Sequence, residues 1–141
     1  MKILILCTGN SCRSQMAHGF LKSFDHNLKV ASAGTEPADA VNPKAVEVMK
    51  EKDIDISKHK PSMVDEYLDE TWDYVITVCD DANEKCPVFL GKVNHRLHSS
   101  FEDPSHATGS EEFIQSEFRR VRDEIETAFY KLYMNKIKQE L

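Results

Sequence analysis

The sequence predicts an α/β fold built on a parallel sheet, and three observations predict it. Short apolar runs alternate along the chain with amphipathic stretches, as strands joined by crossover helices do. The first run, KILIL at 2–6, has no polar break after Lys2, which suits a strand buried on both faces. The last thirty or so residues repeat apolar side chains at helical steps. A chain of 141 residues fits one domain, 1–141, with a core of its own.

Taken in order, KILIL is the first strand and LKVASAG (28–34) the second. DYVITVC (73–79) is the third and KVNHRLHS (92–99) the fourth. Between them, a helix begins near Arg13 with Met16, Ala17, Phe20 and Leu21 on one face. A second opens at Asn42–Pro43, an N-cap followed by proline at the first helical position, and turns Ala45, Val46 and Met49 inward. A third is expected from Ser62, through Val64, Tyr67 and Leu68. The last runs from about Ser110 to the end, with Ile114, Phe118, Val121, Ile125, Phe129, Leu132 and Ile137 at steps of three and four. Glu111 and Glu112 in its first turn, and Lys136 and Lys138 near its end, suit the helix dipole.

Composition narrows the function. A net charge of −6, without a basic arm or face, argues against nucleic acid and anionic membrane as partners. No apolar run approaches the roughly 20 residues of a membrane span, and MKILILC leads into polar residues without a cleavage-type site. A cytoplasmic protein is expected. There, four cysteines (Cys7, Cys12, Cys79 and Cys86) are more often catalytic or metal-binding than structural.

Functional residues of such a sheet gather at the carboxyl ends of the strands, where Cys7, Cys79 and Ser99 fall. The stretch CTGNSCR (7–13) joins the first strand to the first helix. A strand, a short loop and a helix make backbone N–H groups converge on one point, with the positive helix end behind them. Gly9 or Asn10 tolerates left-handed backbone there, and Arg13 offers a planar fork to two oxygens of a tetrahedral oxyanion. Facing those donors, Cys7 is expected as a thiolate of lowered pKa, with Ser14 adding a hydroxyl. The plainer alternative is a buried cysteine closing a strand and a surface arginine opening a helix.

CTGNSCRSQMAHG resembles the phosphate-loop signature of the low-molecular-weight protein tyrosine phosphatases, and more closely that of the arsenate reductases built on the same fold. SAGTEP (32–37), VNPKAVEVMKEKDIDISKH (41–59), DYVITVCDDANEKCP (73–87), FEDP (101–104) and FRRVRDEIE (118–126) extend the resemblance in order over nearly the whole chain. It implies a four-stranded parallel sheet flanked by helices on both faces. It also implies an oxyanion site made by Thr8, Gly9, Asn10, Ser11, Cys12, Arg13 and Ser14, and Asp103 as the acid that helps the leaving group. For the reductases it implies a relay in which Cys7 attacks arsenate, Cys79 attacks Cys7, and Cys86 closes a Cys79–Cys86 disulfide. Thioredoxin then reduces that disulfide. No bound cofactor or metal is expected, phosphate and sulfate would compete as anions, and the chain is expected to be a monomer.

Three rivals remain at this point. A phosphatase needs only Cys7, Arg13 and Asp103. It has no use for the second cysteine pair, and Ser105 stands where the phosphatases place an aromatic after Asp-Pro. The four cysteines taken as a zinc set lack the tight two-residue knuckle. A non-catalytic oxyanion-binding module is the third. Asp80, Asp81 and Glu84 surround the second pair and are expected to raise its thiol pKa values. Some family members bind a monovalent cation near the loop. At those positions stand His18, Lys60 and Ser62, so Lys60 is expected either to replace the cation or to point to solvent. The six histidines, His18, His26, His59, His95, His98 and His106, show no ligand spacing and are expected at the surface or in packing.

Overall fold

The side chains of β1 (Lys2–Cys7) alternate between two layers, as pleating requires. Ile3, Ile5 and Cys7 enter one buried cluster and Leu4 and Leu6 another. The strand lies inside a parallel sheet with β2 (Lys29–Gly34), β3 (Trp72–Thr77) and β4 (Val93–His98), ordered β2-β1-β3-β4. In this computed structural model residues 1–80 and 83–141 are described. Asp81 lies outside them.

The helices α1 (Arg13–Phe24), α2 (Pro43–Lys50) and α3 (Glu111–Leu132) all deliver side chains to the Ile3/Ile5 cluster, among them Met16, Phe20, Val48, Met49, Phe118 and Ile125. The opposite face is covered by Trp72, Phe89 and a 3-10 turn at Val64–Tyr67. Among the described residues, helical cover on the two faces is thus unequal: three α-helices on one, a single 3-10 turn on the other. The helix expected from Ser62 is only this turn. Val64, Tyr67 and Leu68 suffice to close the Trp72 cluster, and one turn of contact does not sustain a longer helix.

Two caps stand where the sequence places them. Asn42 Oδ1 accepts from the Lys44 N–H at 2.9 Å with Pro43 behind it, and Ser110 Oγ accepts from the Phe113 N–H at 3.1 Å. The last helix does not run unbroken to the end. After Leu132 it widens into a π-turn at Tyr133–Ile137 and finishes as a 3-10 turn at Lys138–Glu140. Val121, Ile125, Phe129, Tyr133 and Ile137 follow one another at steps of four, and all are buried. Four residues of α-helix overshoot a full turn by about 40°, so a long series of such steps rotates off the core. A wider turn brings Ile137 back.

β3 and β4 both end one or two residues earlier than expected, leaving Val78, Cys79 and Ser99 just past their strands. The chain leaves β1 to one side for β2, then crosses back over β1 to β3. Connections that diverge in this way open a crevice at the carboxyl ends of the two strands. Cys7 ends β1, and Cys79 follows the end of β3.

Candidate active site

The loop after β1 is held from outside. The carbonyls of Thr8, Gly9 and Ser11 accept from the N–H groups of Glu36, Ala38 and Asn42 at 3.0, 2.9 and 2.9 Å. In a trans peptide the next N–H points away from its carbonyl, so this arrangement turns the amides of Gly9, Asn10 and Cys12 toward the inside of the loop. Gly34, paired with Cys7 in the sheet, lets β2 approach closely. A Cβ there would lie 2.2 Å from the Thr8 carbonyl oxygen.

Asn10, not Gly9, takes the left-handed backbone, at φ 52°. Its buried side chain keeps it there: Nδ2 donates to Ser14 Oγ at 2.7 Å and Oδ1 accepts from the Ser62 N–H at 2.9 Å. Gln15 continues the brace, with Nε2 donating to the Asn10 carbonyl at 3.1 Å.

Arg13 is the first residue of α1, and its side chain is only 3% exposed. Its guanidinium donates to the Phe101 carbonyl at 3.1 Å and approaches Asp103 Oδ2 at 3.5 Å. Both of its terminal nitrogens also donate to the Glu84 carboxylate. Asp103 is itself fixed: Oδ1 accepts from the Ser105 N–H at 2.9 Å and the Ser105 hydroxyl at 2.7 Å. A cleft of about 300 Å³ over the site is lined by Asp80, Asn83, Glu84, Glu102, Asp103 and His106.

Cys79 and Cys86, seven residues apart, form a disulfide with Cα atoms 5.8 Å apart. Cys7 and Cys12 are buried free thiols, and Cys7, Cys12 and Cys79 share one apolar cluster. Cys86 is half-buried, with its sulfur 3.9 Å from His98 Nδ1. In this state the expected low pKa of Cys7 is not found. Burial pushes the thiol up to about 11, against the pull of Arg13 and the Thr8 N–H, and the Glu84 and Asp103 carboxylates add to the rise. Cys12 is pushed to about 12, first by burial and then by Asp103. Arg13 still pulls the thiol down, but burial and the two carboxylates together outweigh it.

Over residues 2–141 the sequence matches the family described as low molecular weight phosphotyrosine protein phosphatase. The chain belongs to that family. Within it, the chain is 48% identical to the arsenate reductase of Bacillus subtilis (strain 168) over 124 residues, 87% of this chain and 88% of that one. It is 47% identical to arsenate reductase 1 of Staphylococcus saprophyticus over 130 residues, 92% and 93% of the two chains. A solved arsenate reductase in the phosphate-binding state superposes with a TM-score of 0.79 at 29% identity, covering 95% of this chain and 97% of that one.

Against this phosphatase-family background two departures stand out. Ser105, after the Asp-Pro pair, grips Asp103 and presents no aromatic surface. At the position expected for a cation or its lysine substitute, Lys60 is exposed, and only its carbonyl takes part, accepting from Gln15 Nε2 at 3.4 Å. The space behind the loop holds neutral rings instead. His18 stacks on His59 at 4.4 Å between centroids, and their Nδ1 atoms lie 3.0 Å from Ser32 Oγ and Gln15 Oε1. Burial, then the neighbouring His59, lowers His18 to about 3; burial lowers His59 too.

The loop, Arg13, Asp103 and the cysteine pair therefore meet at one sheet edge, as residues 7–14, 79, 86 and 103 suggested. The contact of Glu84 with Arg13, the Gln15 brace and the stacking of the two histidines escaped sequence reasoning. The sequence places Glu84 only as a neighbour of the second cysteine pair, and no periodicity turns it toward Arg13. His18 and His59 lie forty-one positions apart, on elements whose packing only the fold reveals.

Proposed function

We infer that the protein is an arsenate reductase that reduces arsenate to arsenite through Cys7, Cys79 and Cys86. The observation that carries this reading is the Cys79–Cys86 bond beside a cysteine-loop-arginine site. A phosphate-ester hydrolase has no role for such a bond, and the relatives named above are arsenate reductases.

In the first step the Cys7 thiolate attacks the arsenic of an oxyanion held by the loop N–H groups and Arg13. One oxygen leaves as water, with Asp103 supplying the proton. The Cys79 thiolate then attacks the Cys7 sulfur. The sulfur–arsenic bond breaks, its electron pair stays on arsenic as arsenite, and a Cys7–Cys79 disulfide forms. The Cys86 thiolate attacks Cys79, Cys7 leaves as thiolate, and the bond seen here remains. Two electrons have passed from the Cys79 and Cys86 thiols to arsenic. A dithiol partner returns them by the same exchange, and thioredoxin is the partner proposed. Sulfur and a borrowed dithiol supply all the redox chemistry, so the protein needs no bound cofactor. It works as a cytoplasmic monomer, where thiols stay reduced. Among the described residues no helix is long and apolar enough to cross a membrane.

The test is arsenate-dependent NADPH oxidation with thioredoxin and thioredoxin reductase. Wild type turns over and Cys86→Ser does not. Hydrolysis of a phosphate ester without arsenate turnover would establish the alternative, a low-molecular-weight phosphatase. Cys79→Ser separates the two, since it leaves ester hydrolysis intact and abolishes arsenate turnover.

A further inference from the structure

Glu84 makes more contacts than a surface carboxylate needs. One oxygen accepts from Arg13 Nη1 and from the Asp80 N–H at 2.7 Å. The other accepts from Arg13 Nη2 and from Thr8 Oγ1, both at 3.1 Å. Three of these donors, the two Arg13 nitrogens and Thr8 Oγ1, belong to the oxyanion site and would otherwise serve the oxygens of a bound anion. We propose that Glu84 is an internal competitor for the oxyanion, seated on Arg13 while Cys79 and Cys86 are bonded and displaced when that bond is reduced. This rests on the reading of Cys79 and Cys86 as a redox pair.

The placement follows from the covalent closure. Cys79 is fully buried, and its bond to Cys86 ties the chain on either side of Glu84. The Asn83 and Glu84 N–H groups both donate to the Asp80 carbonyl, at 3.0 and 2.9 Å, which fixes the Glu84 backbone beside Asp80. Arg13 is nearly inaccessible, and the two terminal nitrogens that hold Glu84 also donate to the Phe101 carbonyl and approach Asp103 Oδ2. A second anion therefore finds the fork occupied and must approach through a cleft lined by Asp80, Glu84, Glu102 and Asp103. The rise in the Cys7 pKa, to which Glu84 contributes, fits a nucleophile at rest in this state.

Reduction changes the balance. A dithiol gives two electrons and two protons to the disulfide, becomes a disulfide itself, and leaves Cys79 and Cys86 as thiols. The tether is then gone, and Glu84 holds Arg13 only at the effective concentration of an untied segment. An oxyanion now wins the site. By reciprocity, an anion that binds the dithiol form more tightly makes the disulfide easier to reduce by the same factor.

The experiment is calorimetric titration of inorganic phosphate into the dithiol and disulfide forms of wild type, Glu84→Gln and Glu84→Ala. Each form is defined by thiol titration and peptide mapping. The expected result is binding at least tenfold weaker in the wild-type disulfide form, with the difference falling below threefold in both variants. Equal affinity in the two wild-type forms overturns the proposal, and so does a tenfold difference that survives both variants. An oxidised sample in which Cys79 and Cys86 remain thiols overturns the relay itself, and this inference with it.

Discussion

The phosphate loop and the 79–86 segment face each other across the crevice between β1 and β3, and they are held in opposite ways. The loop is fixed by contacts that no reaction step touches. Its carbonyls are bound to residues 36, 38 and 42, and Asn10 is clamped between Ser14 and Ser62. Cys86 and Glu84 are held by the disulfide, the Arg13 fork and the Thr8 and Asp80 donors, and in the proposed cycle the disulfide and the fork both open. A rigid half presents donors before the anion arrives, which costs no reorganisation during reaction. A covalently switched half lets a buried sulfur change partners.

This contrast is broken most completely by Cys7→Ser, which should release no arsenite from a stoichiometric arsenate mixture and lower turnover by more than about 1,000-fold. Cys86→Ser should instead release one arsenite per chain and stop, because only the switched half has been stalled. Quenched mixing with arsenite quantification distinguishes the two. A burst of several arsenites from Cys86→Ser would mean that another thiol resolves the intermediate.

A smaller effect sharpens the rigid half. Asn10→Ala removes one buried and one part-buried hydrogen bond and leaves a β-carbon at positive φ, a loss of about 2–3 kcal/mol in chemical denaturation. The KM for arsenate should rise more than kcat falls, since the loop's donors lose their alignment. An unchanged KM would show that the loop holds its shape without Asn10.

The smallest effect is acid sensitivity behind the loop. His18 binds a proton near 6.5 when unfolded and at about 3 when folded. The unfolded chain therefore takes up the proton first, so stability is complete above about pH 6.5 and declines as pH falls toward 3. At pH 5, about 1.5 units below 6.5 at about 1.4 kcal/mol per unit, the loss is about 2 kcal/mol. His18→Gln should flatten the dependence of the urea midpoint between pH 7 and 5, and an unchanged slope would assign the loss to other groups.

Much of this was legible in the sequence because it rests on local chemistry. Strand alternation, the Asn42–Pro43 and Ser110 caps and the spacing from Cys7 to Arg13 are written within a few residues of where they act. What was not legible depends on distant neighbours. The left-handed position fell to Asn10 because Ser62 reaches across to hold it. The helix from Ser62 shrank to a turn because its partner surface is small. The pKa of the Cys7 thiol is raised rather than lowered because folding buries it, with Glu84, seventy-seven residues away, adding to the rise. Lys60 gave way to a histidine pair brought together by α1 and the segment after α2.

The central place of β1 has a consequence for motion. Its residues pair with β2 along Lys2–Cys7 and with β3 along Ile3–Leu6, so its amides exchange hydrogen with solvent only when the whole sheet comes apart. The 83–86 backbone belongs to no strand and exchanges through local opening at far lower free energy. Cys7 is thus carried by the most protected strand of the sheet and Cys86 by backbone outside it, and one catalytic cycle can run without drawing on the free energy that keeps the fold intact.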